Sequence, residues 1–487
     1  MPSPQEIELP KTRPYIFYDV AVSICARCYR KIDAKIVFLD DSVYLLKRCP
    51  VHGNEKVLIA DDVDYYRRCR EVFIKPPEMP AVYNTPVKWG CPYDCGLCSD
   101  HEQHSCLSLI EICDHCNLSC PICYAESGPS RQSYRSLAQI EKMLDAVVRN
   151  ELHPDVVQIS GGEPTIHPQF FEVLDLAKAR PIRHLMVNTN GIRIAQDEAF
   201  AERLATYMPD FELYLQFDSF EREPLMILRG ADLRSIRQKA VERLNALGIS
   251  TTLVVTLQKG LNDHEIGKTI DWALEQPCIR GVTFQPVQDA GRTEGFDPAR
   301  DRLTLTEVRR KILEQTKVFR PEDVIPVPCH PDSLAMAYAL KLDGRVTPLT
   351  GMIDPQVLIN GGRNTILYEQ EDQVKDHIFR LFSTNHSPQS GANTLRDLLC
   401  CLPHINAPSG LGYQNVFRVL IMQFIDAHAF DVRSVKKSCV HIVHPDGRLI
   451  PFDTYNMFYR DSLEQTRLAP LRRLEESRFV EIGAEGV

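Results

Sequence analysis

The sequence predicts an α/β protein built on a partial (β/α)6 TIM-like barrel, with a small N-terminal metal module and a C-terminal domain of different character. Three observations predict it. Between Leu109 and about Lys317, six strand-like runs alternate with amphipathic segments, and βα units in series argue for a parallel sheet with right-handed crossovers. Two knuckles, Cys25-x2-Cys28 and Cys49-x2-His52, come before that stretch. From about Phe319 onward the βα rhythm stops. The expected domains are residues 1–62 (metal module), 63–107 (linker and cysteine loop), 108–318 (barrel) and 319–487 (C-terminal domain).

Each element has its own justification. Ala34–Leu39 and Val43–Lys47 alternate like strands around Asp40-Asp41, a turn. That hairpin brings Cys25, Cys28, Cys49 and His52 together, an ordinary tetrahedral set for zinc. A single iron in a rubredoxin-like site is the alternative. Either way 1–62 reads as a zinc-ribbon or rubredoxin-like module that needs its metal to fold. Asp61–Ile74 reads as a connecting helix and the Pro-rich Lys75–Pro86 as a linker.

Next come two loops of identical spacing, Cys91-x3-Cys95-x2-Cys98 and Cys116-x3-Cys120-x2-Cys123. Such thiols suit a 4Fe-4S cluster, which usually takes four cysteines. Three leave one iron open for a ligand. Only the second loop has an aromatic residue, Tyr124, after its last cysteine and a strand-like lead-in, Leu109–Ile112. The open iron is therefore assigned to the second loop and an auxiliary cluster to the first. Cys106 is the expected fourth ligand of the auxiliary cluster, with His101 and His104 as alternatives. Zinc at Cys91–Cys98 stays open as a rival. Cys113 is a further thiol beside the second loop.

The remaining strand-like runs are Val156–Ser160, His184–Asn188, Glu212–Phe217, Thr251–Thr256 and Gly281–Pro286. In Leu137–Asn150, the residues Leu137, Ile140, Leu144 and Val147 share a helical face. Chemistry on such barrels sits at the C-terminal strand ends. There the second run leads into Gly161-Gly162-Glu163-Pro164, where glycines allow close approach and Glu163 offers an acceptor for an ammonium group. By the same geometry Asn188, Asn190, Gln216 and Asp218 face the mouth, to meet a ribose or substrate hydroxyls; turn and cap chemistry is the other reading of Asn190 and Asp218. In the C-terminal domain, Cys329, Cys439 and one of Cys400 and Cys401 (Cys401 in the assigned set) are expected to converge on a further cluster. Asn415–Ile425 reads as a short apolar helix.

The totals set limits. The chain has 487 residues, 44% hydrophobic, with 56 basic against 65 acidic side chains and a net charge of -9. That length calls for several domains at roughly 100–200 residues each. The charge balance leaves no footprint for nucleic acid. Met1 to Pro14 is polar and Pro-rich, so no secretion signal is expected. No run reaches the ~18 apolar residues of a membrane span, which leaves at most peripheral membrane contact and a cytoplasmic location. With 17 cysteines in a reducing compartment, metal sites are expected rather than disulfides.

The pattern Cys116-x3-Cys120-x2-Cys123-Tyr124 resembles the signature of the radical S-adenosylmethionine (SAM) enzymes, and Gly161–Pro164 resembles their GGEP motif. The ribbon, the Cys91–Cys98 loop, the SAM loop and the late cysteines together resemble the archaeal tetraether lipid synthases and the related enzymes that methylate a pterin precursor. The resemblance implies SAM on the open iron and Gly161–Pro164 around its methionine amino group. It implies reductive cleavage of SAM to a 5'-deoxyadenosyl radical and one or two auxiliary clusters. The first expectation is hydrogen abstraction from an unactivated, lipid-like carbon, leading to carbon–carbon bond formation. The alternative is methylation of a pterin-like heterocycle, and a second is a non-catalytic iron–sulfur electron carrier. The expected partners are a lipid or other small-molecule substrate and a reductant such as ferredoxin or flavodoxin.

Overall fold

In the computed structural model, residues 13–342, 344–360 and 415–484 are described. Strands β1 (Ile16–Ile24), β2 (Lys31–Leu39), β3 (Ser42–Cys49) and β4 (Gly53–Ala60) form an antiparallel sheet in chain order. The expected hairpin is β2–β3, in register from Ala34↔Lys47 to Leu39↔Ser42. Its turn holds Asp40 and Asp41 at φ of 50° and 59°, the conformation that matches strand twist in a two-residue hairpin. Asp62 then caps helix α1 (Val63–Glu71) by accepting the Tyr65 N–H.

The six expected barrel strands are β5 (Leu107–Glu111), β6 (Val156–Ser160), β7 (His184–Thr189), β8 (Phe211–Gln216), β9 (Thr251–Leu257) and β10 (Ile279–Pro286). Each pairs in parallel with the next. Among the helices covering them are α2 (Leu137–Glu151), α3 (Phe170–Lys178), α4 (Glu198–Ala205), α5 (Arg222–Arg229), α6 (Arg234–Leu247) and α7 (Ile266–Glu275). Ser136 and Gln139 form a capping box that starts α2. Because side chains alternate along a strand, each strand feeds two cores. On β6, Val157 and Ile159 pack with Leu144 and Val147 of α2, while Val156 joins the interior with Leu107, Leu109, Met186 and Tyr214.

The C-terminal third supplies more of the wall than expected. Strand β11 (Leu334–Leu342) lies antiparallel to β12 (Val416–Met422), and β12 pairs in parallel with β10. Strand β13 (Val440–Val443) pairs in parallel with β5. Eight parallel strands therefore run from β12 through β10 to β5 and on to β13. This corrects the expected helix over Asn415–Ile425. Short apolar runs suit strand or helix by period alone, and Val416, Val419 and Ile421 favour the pleated surface.

A buried charge network closes the N-terminal ends of the strands. Glu212 on β8 accepts a hydrogen bond from Arg418 Nη2 on β12 at 2.8 Å and from the Thr252 hydroxyl, and its Oε2 lies 3.3 Å from His184 Nε2. Burial pushes the Glu212 carboxyl up, but Arg418 and His184 outweigh it and hold the group well below the usual carboxylate range. No helix among the described residues is long and apolar enough to cross a membrane.

Candidate active site and metal centres

The site begins where β5 and β6 end. The β5 exit carries the Cys116–Cys123 loop, and the β6 exit is Gly161-Gly162-Glu163. The two are joined backbone to backbone: Gly162 N–H donates to Cys113 O at 2.7 Å and Glu163 N–H to His115 O at 2.9 Å. A Cβ on Gly161 would run into the Cys113 carbonyl, and one on Gly162 into that of His115. Glycine is what lets the turn lie this close. Pro164 starts a short 3-10 turn, Pro164–Ile166.

Cys116, Cys120 and Cys123 line one cavity with Tyr124, Glu163, Asn188 and Gln216. Burial and the neighbouring Glu163 push the Cys116 thiol up, with Cys120 and Cys123 adding to the shift. Cys113 is outside this set. It is buried, its thiol is directed at the carbonyls of His115 and Glu163 at 3.5 Å each, and it does not line the cavity.

Glu163 is fixed by neighbours. Its Oε1 accepts from Thr165 N and Oγ1 at 3.2 and 2.6 Å and from Thr189 Oγ1 at 2.7 Å; its Oε2 accepts from Asn190 N at 2.8 Å. With a single donor on Oε2, the carboxylate keeps acceptor capacity there. Burial raises its pKa against those hydrogen bonds. Asn190 lines the same cavity, with its Nδ2 donating to Asn117 Oδ1 at 2.7 Å.

Asp218 is a correction. It was expected to meet a ribose or substrate hydroxyl, but its fully buried carboxylate is taken by Arg229 (2.6 and 2.8 Å), Arg237 (2.9 Å) and Thr256 N (3.1 Å). Two guanidiniums prevail over burial and keep it ionised. Arg229 itself escaped sequence reasoning. It lines the cavity and draws down the Cys120 thiol, which burial pushes up. The one local signal was Gly230, a left-handed helix C-cap at φ 73°, and a cap does not announce a pocket.

Three further cysteine groups lie outside the mouth. In the ribbon, one ligand atom each from Cys25, Cys28, Cys49 and His52 lie within 4.8 Å of one another, a set a single ion can bridge. The Cys91–Cys98 loop is preformed by Asp94, whose Oδ2 accepts the N–H groups of Lys88 (2.6 Å), Trp89 and Gly90 (2.9 Å). Burial pushes the Cys95 thiol up, with Cys91 and Cys98 both adding to the shift.

Cys106 is the second correction. It is grouped not with that loop but with Cys329 and Cys439, all three sulfurs within 4.8 Å of one another. The cause is register. Val440 on β13 pairs with Leu107 on β5, so the residues just before them, Cys439 and Cys106, are neighbours. His104 Nε2 lies 3.6 Å from the Cys106 sulfur. Cys400 and Cys401 lie outside the described residues. The cavity reaches down to Leu107 and Val440, each next in sequence to a cysteine of this group. It thus spans the interior between the upper loop and the lower cysteines.

The family model "Radical SAM superfamily" matches residues 110–273, and "HMPTM N-terminal zinc ribbon domain" matches residues 17–61. A 7,8-dihydro-6-hydroxymethylpterin dimethyltransferase from Methanocaldococcus jannaschii is 31% identical over 506 residues, spanning 95% of this chain and 98% of that protein. A GTP 3',8-cyclase from Syntrophomonas wolfei is 27% identical over 46% of this chain and 67% of its own length. Among solved structures, Streptococcus suis SuiB bound to S-adenosylmethionine aligns with a TM-score of 0.35 and 20% identity, covering 43% of this chain and 46% of that one.

Proposed function

We propose, for a chain that belongs to the radical SAM superfamily, a methyltransferase that acts on a reduced, pterin-like heterocycle. The observation that carries the reading is the wall of the cavity. Carboxamides from Gln158, Asn188, Asn190, Gln216, Gln285 and Gln288 face it. Such groups both donate and accept hydrogen bonds and suit a polar planar ring. The full-length likeness to a pterin dimethyltransferase points the same way. The lipid-like substrate, the first expectation from sequence, gains no support from that likeness.

The family uses a 4Fe-4S cluster and SAM, which together supply a 5'-deoxyadenosyl radical. Three observations support Cys116, Cys120 and Cys123 as the cluster's ligands: they share one cavity, Cys113 faces away, and Glu163 is pinned beside them with an acceptor site to spare. Glu163 and the Gly161-Gly162 backbone would orient the amino acid end of SAM. Asn188 and Gln216 would meet its ribose. Tyr124 and Phe452, with ring centroids 4.9 Å apart, and Phe424, 3.8 Å from Phe452, wall the cavity against water. Cys91, Cys95 and Cys98 would hold one auxiliary cluster and Cys106, Cys329 and Cys439 another metal centre. A cytoplasmic location and a reductant such as ferredoxin or flavodoxin go with this proposal.

The test follows deuterium. Anaerobic protein with dithionite, SAM and deuterated 7,8-dihydro-6-hydroxymethylpterin is expected to release deuterated 5'-deoxyadenosine. Deuterium arriving instead from a labelled dialkylglycerol lipid would restore the lipid reading.

A further inference from the structure

Resting on that reading and going beyond it, we infer that Gln158 selects the substrate by hydrogen-bonding the donor–acceptor edge of the heterocycle. Gln158 sits at the middle of β6. Val157 and Ile159 point to the helices, so Val156, Gln158 and Ser160 point inward. Its register partners are Leu109 and Met186, both apolar members of the interior core. A strand buried on both faces is usually apolar throughout, and here a carboxamide breaks the row.

Gln158 as a whole residue is only 3% exposed, and it lines the cavity. Among the described residues its side chain has no hydrogen-bond partner. Three of the neighbouring amides do, while Gln216, at the end of β8, likewise has none. Asn190 donates to Asn117 at 2.7 Å, Gln288 to the Ile425 carbonyl at 2.7 Å and Gln285 to the Tyr214 hydroxyl at 3.2 Å. The Gln158 amide opens onto the cavity rather than being sealed in the core, so both its N–H and C=O are available to a ligand there. Gln158 lies two residues below Ser160, about 7 Å deeper than the strand end at ~3.3 Å per residue. It is beneath the Gly161–Glu163 turn and so faces the inner end of the cavity, away from the groups that would hold SAM. One carboxamide offers N–H and C=O side by side and reads an edge that presents both.

The experiment measures equilibrium binding of 7,8-dihydro-6-hydroxymethylpterin to the anaerobic, SAM-loaded holoenzyme and to its Gln158→Leu and Gln158→Met variants. Met is unbranched and close in volume, which keeps the test open if Leu perturbs the strand. Roughly tenfold or greater loss of pterin affinity is expected, with SAM affinity within about twofold of wild type and iron content unchanged. Unchanged pterin affinity in the variants would overturn the role of Gln158 while leaving the methyltransferase reading intact. Parallel loss of SAM affinity would overturn it by assigning Gln158 to the cofactor. A wild-type protein that binds no pterin would overturn both.

Discussion

Gly162 donates its backbone N–H to the Cys113 carbonyl at 2.7 Å, which fastens the β6 exit to the cysteine loop. A methyl group at this position would overlap the His115 carbonyl. Gly162→Ala is therefore expected to push the turn off the loop, at a typical overpacking cost of ~1–3 kcal/mol. Production of 5'-deoxyadenosine should fall more than tenfold while the melting temperature drops by only a few degrees. Unchanged cleavage would mean the turn does not position the cofactor.

The lower cysteines make a prediction about grouping. In the proposed assignment Cys106 and Cys439 serve one centre and Cys91 another. Cys106→Ala, Cys439→Ala and the double variant should each lose the same iron, whereas Cys106→Ala with Cys91→Ala should lose the sum of the two single losses. Iron and sulfide counts on anaerobic protein check this. Additive loss for Cys106 with Cys439 would separate what the register joins.

What was legible in the sequence was local. The six strands showed in their runs, and the SAM loop, the ribbon and the Gly161–Pro164 turn showed in their spacing. What was hidden depended on partners far along the chain. Nothing near Cys106 reveals that β13 will lie beside β5 and bring Cys439 to it. Asp218 looked free because Arg229 and Arg237, on α5 and α6, fold back onto it. Strand β12 was read as helix from a short apolar run, and Arg418 within that run finds its buried partner, Glu212, only in the folded barrel.

Arg418 and Glu212 lock β12 to the floor of the barrel, both buried. Removing one member of such a pair strands the other charge, so Arg418→Ala should cost ~3–5 kcal/mol, read from urea unfolding. Glu212 has a depressed pKa in the folded state. Its contribution is present above the unfolded carboxylate range, near pH 4.3, and is lost as the pH falls below that. Arg418→Ala should therefore flatten the acid limb of the stability profile.

Asp453 predicts the opposite slope. Its buried carboxyl is pushed up to about 7 by desolvation, although it accepts from Ile425 N at 2.6 Å and Ser438 Oγ at 3.2 Å. A raised folded pKa gives stability that is full below the unfolded value, ~3.9, and is lost as the pH rises towards 7, on the order of 1.4 kcal/mol per pH unit. Asp453→Asn keeps an acceptor and removes the titration. Its urea midpoint should change less than that of wild type between pH 4.5 and about pH 7; an equal change would place the titration elsewhere.

The free iron corner is tested most directly by electron paramagnetic resonance of the dithionite-reduced protein with and without SAM. SAM should shift the spectrum of one cluster in the wild type and equally in Cys113→Ala, and Cys120→Ala should abolish the shift. A Cys113→Ala protein that loses that cluster, or a wild-type spectrum indifferent to SAM, would contradict a site closed by three thiols and completed by the cofactor.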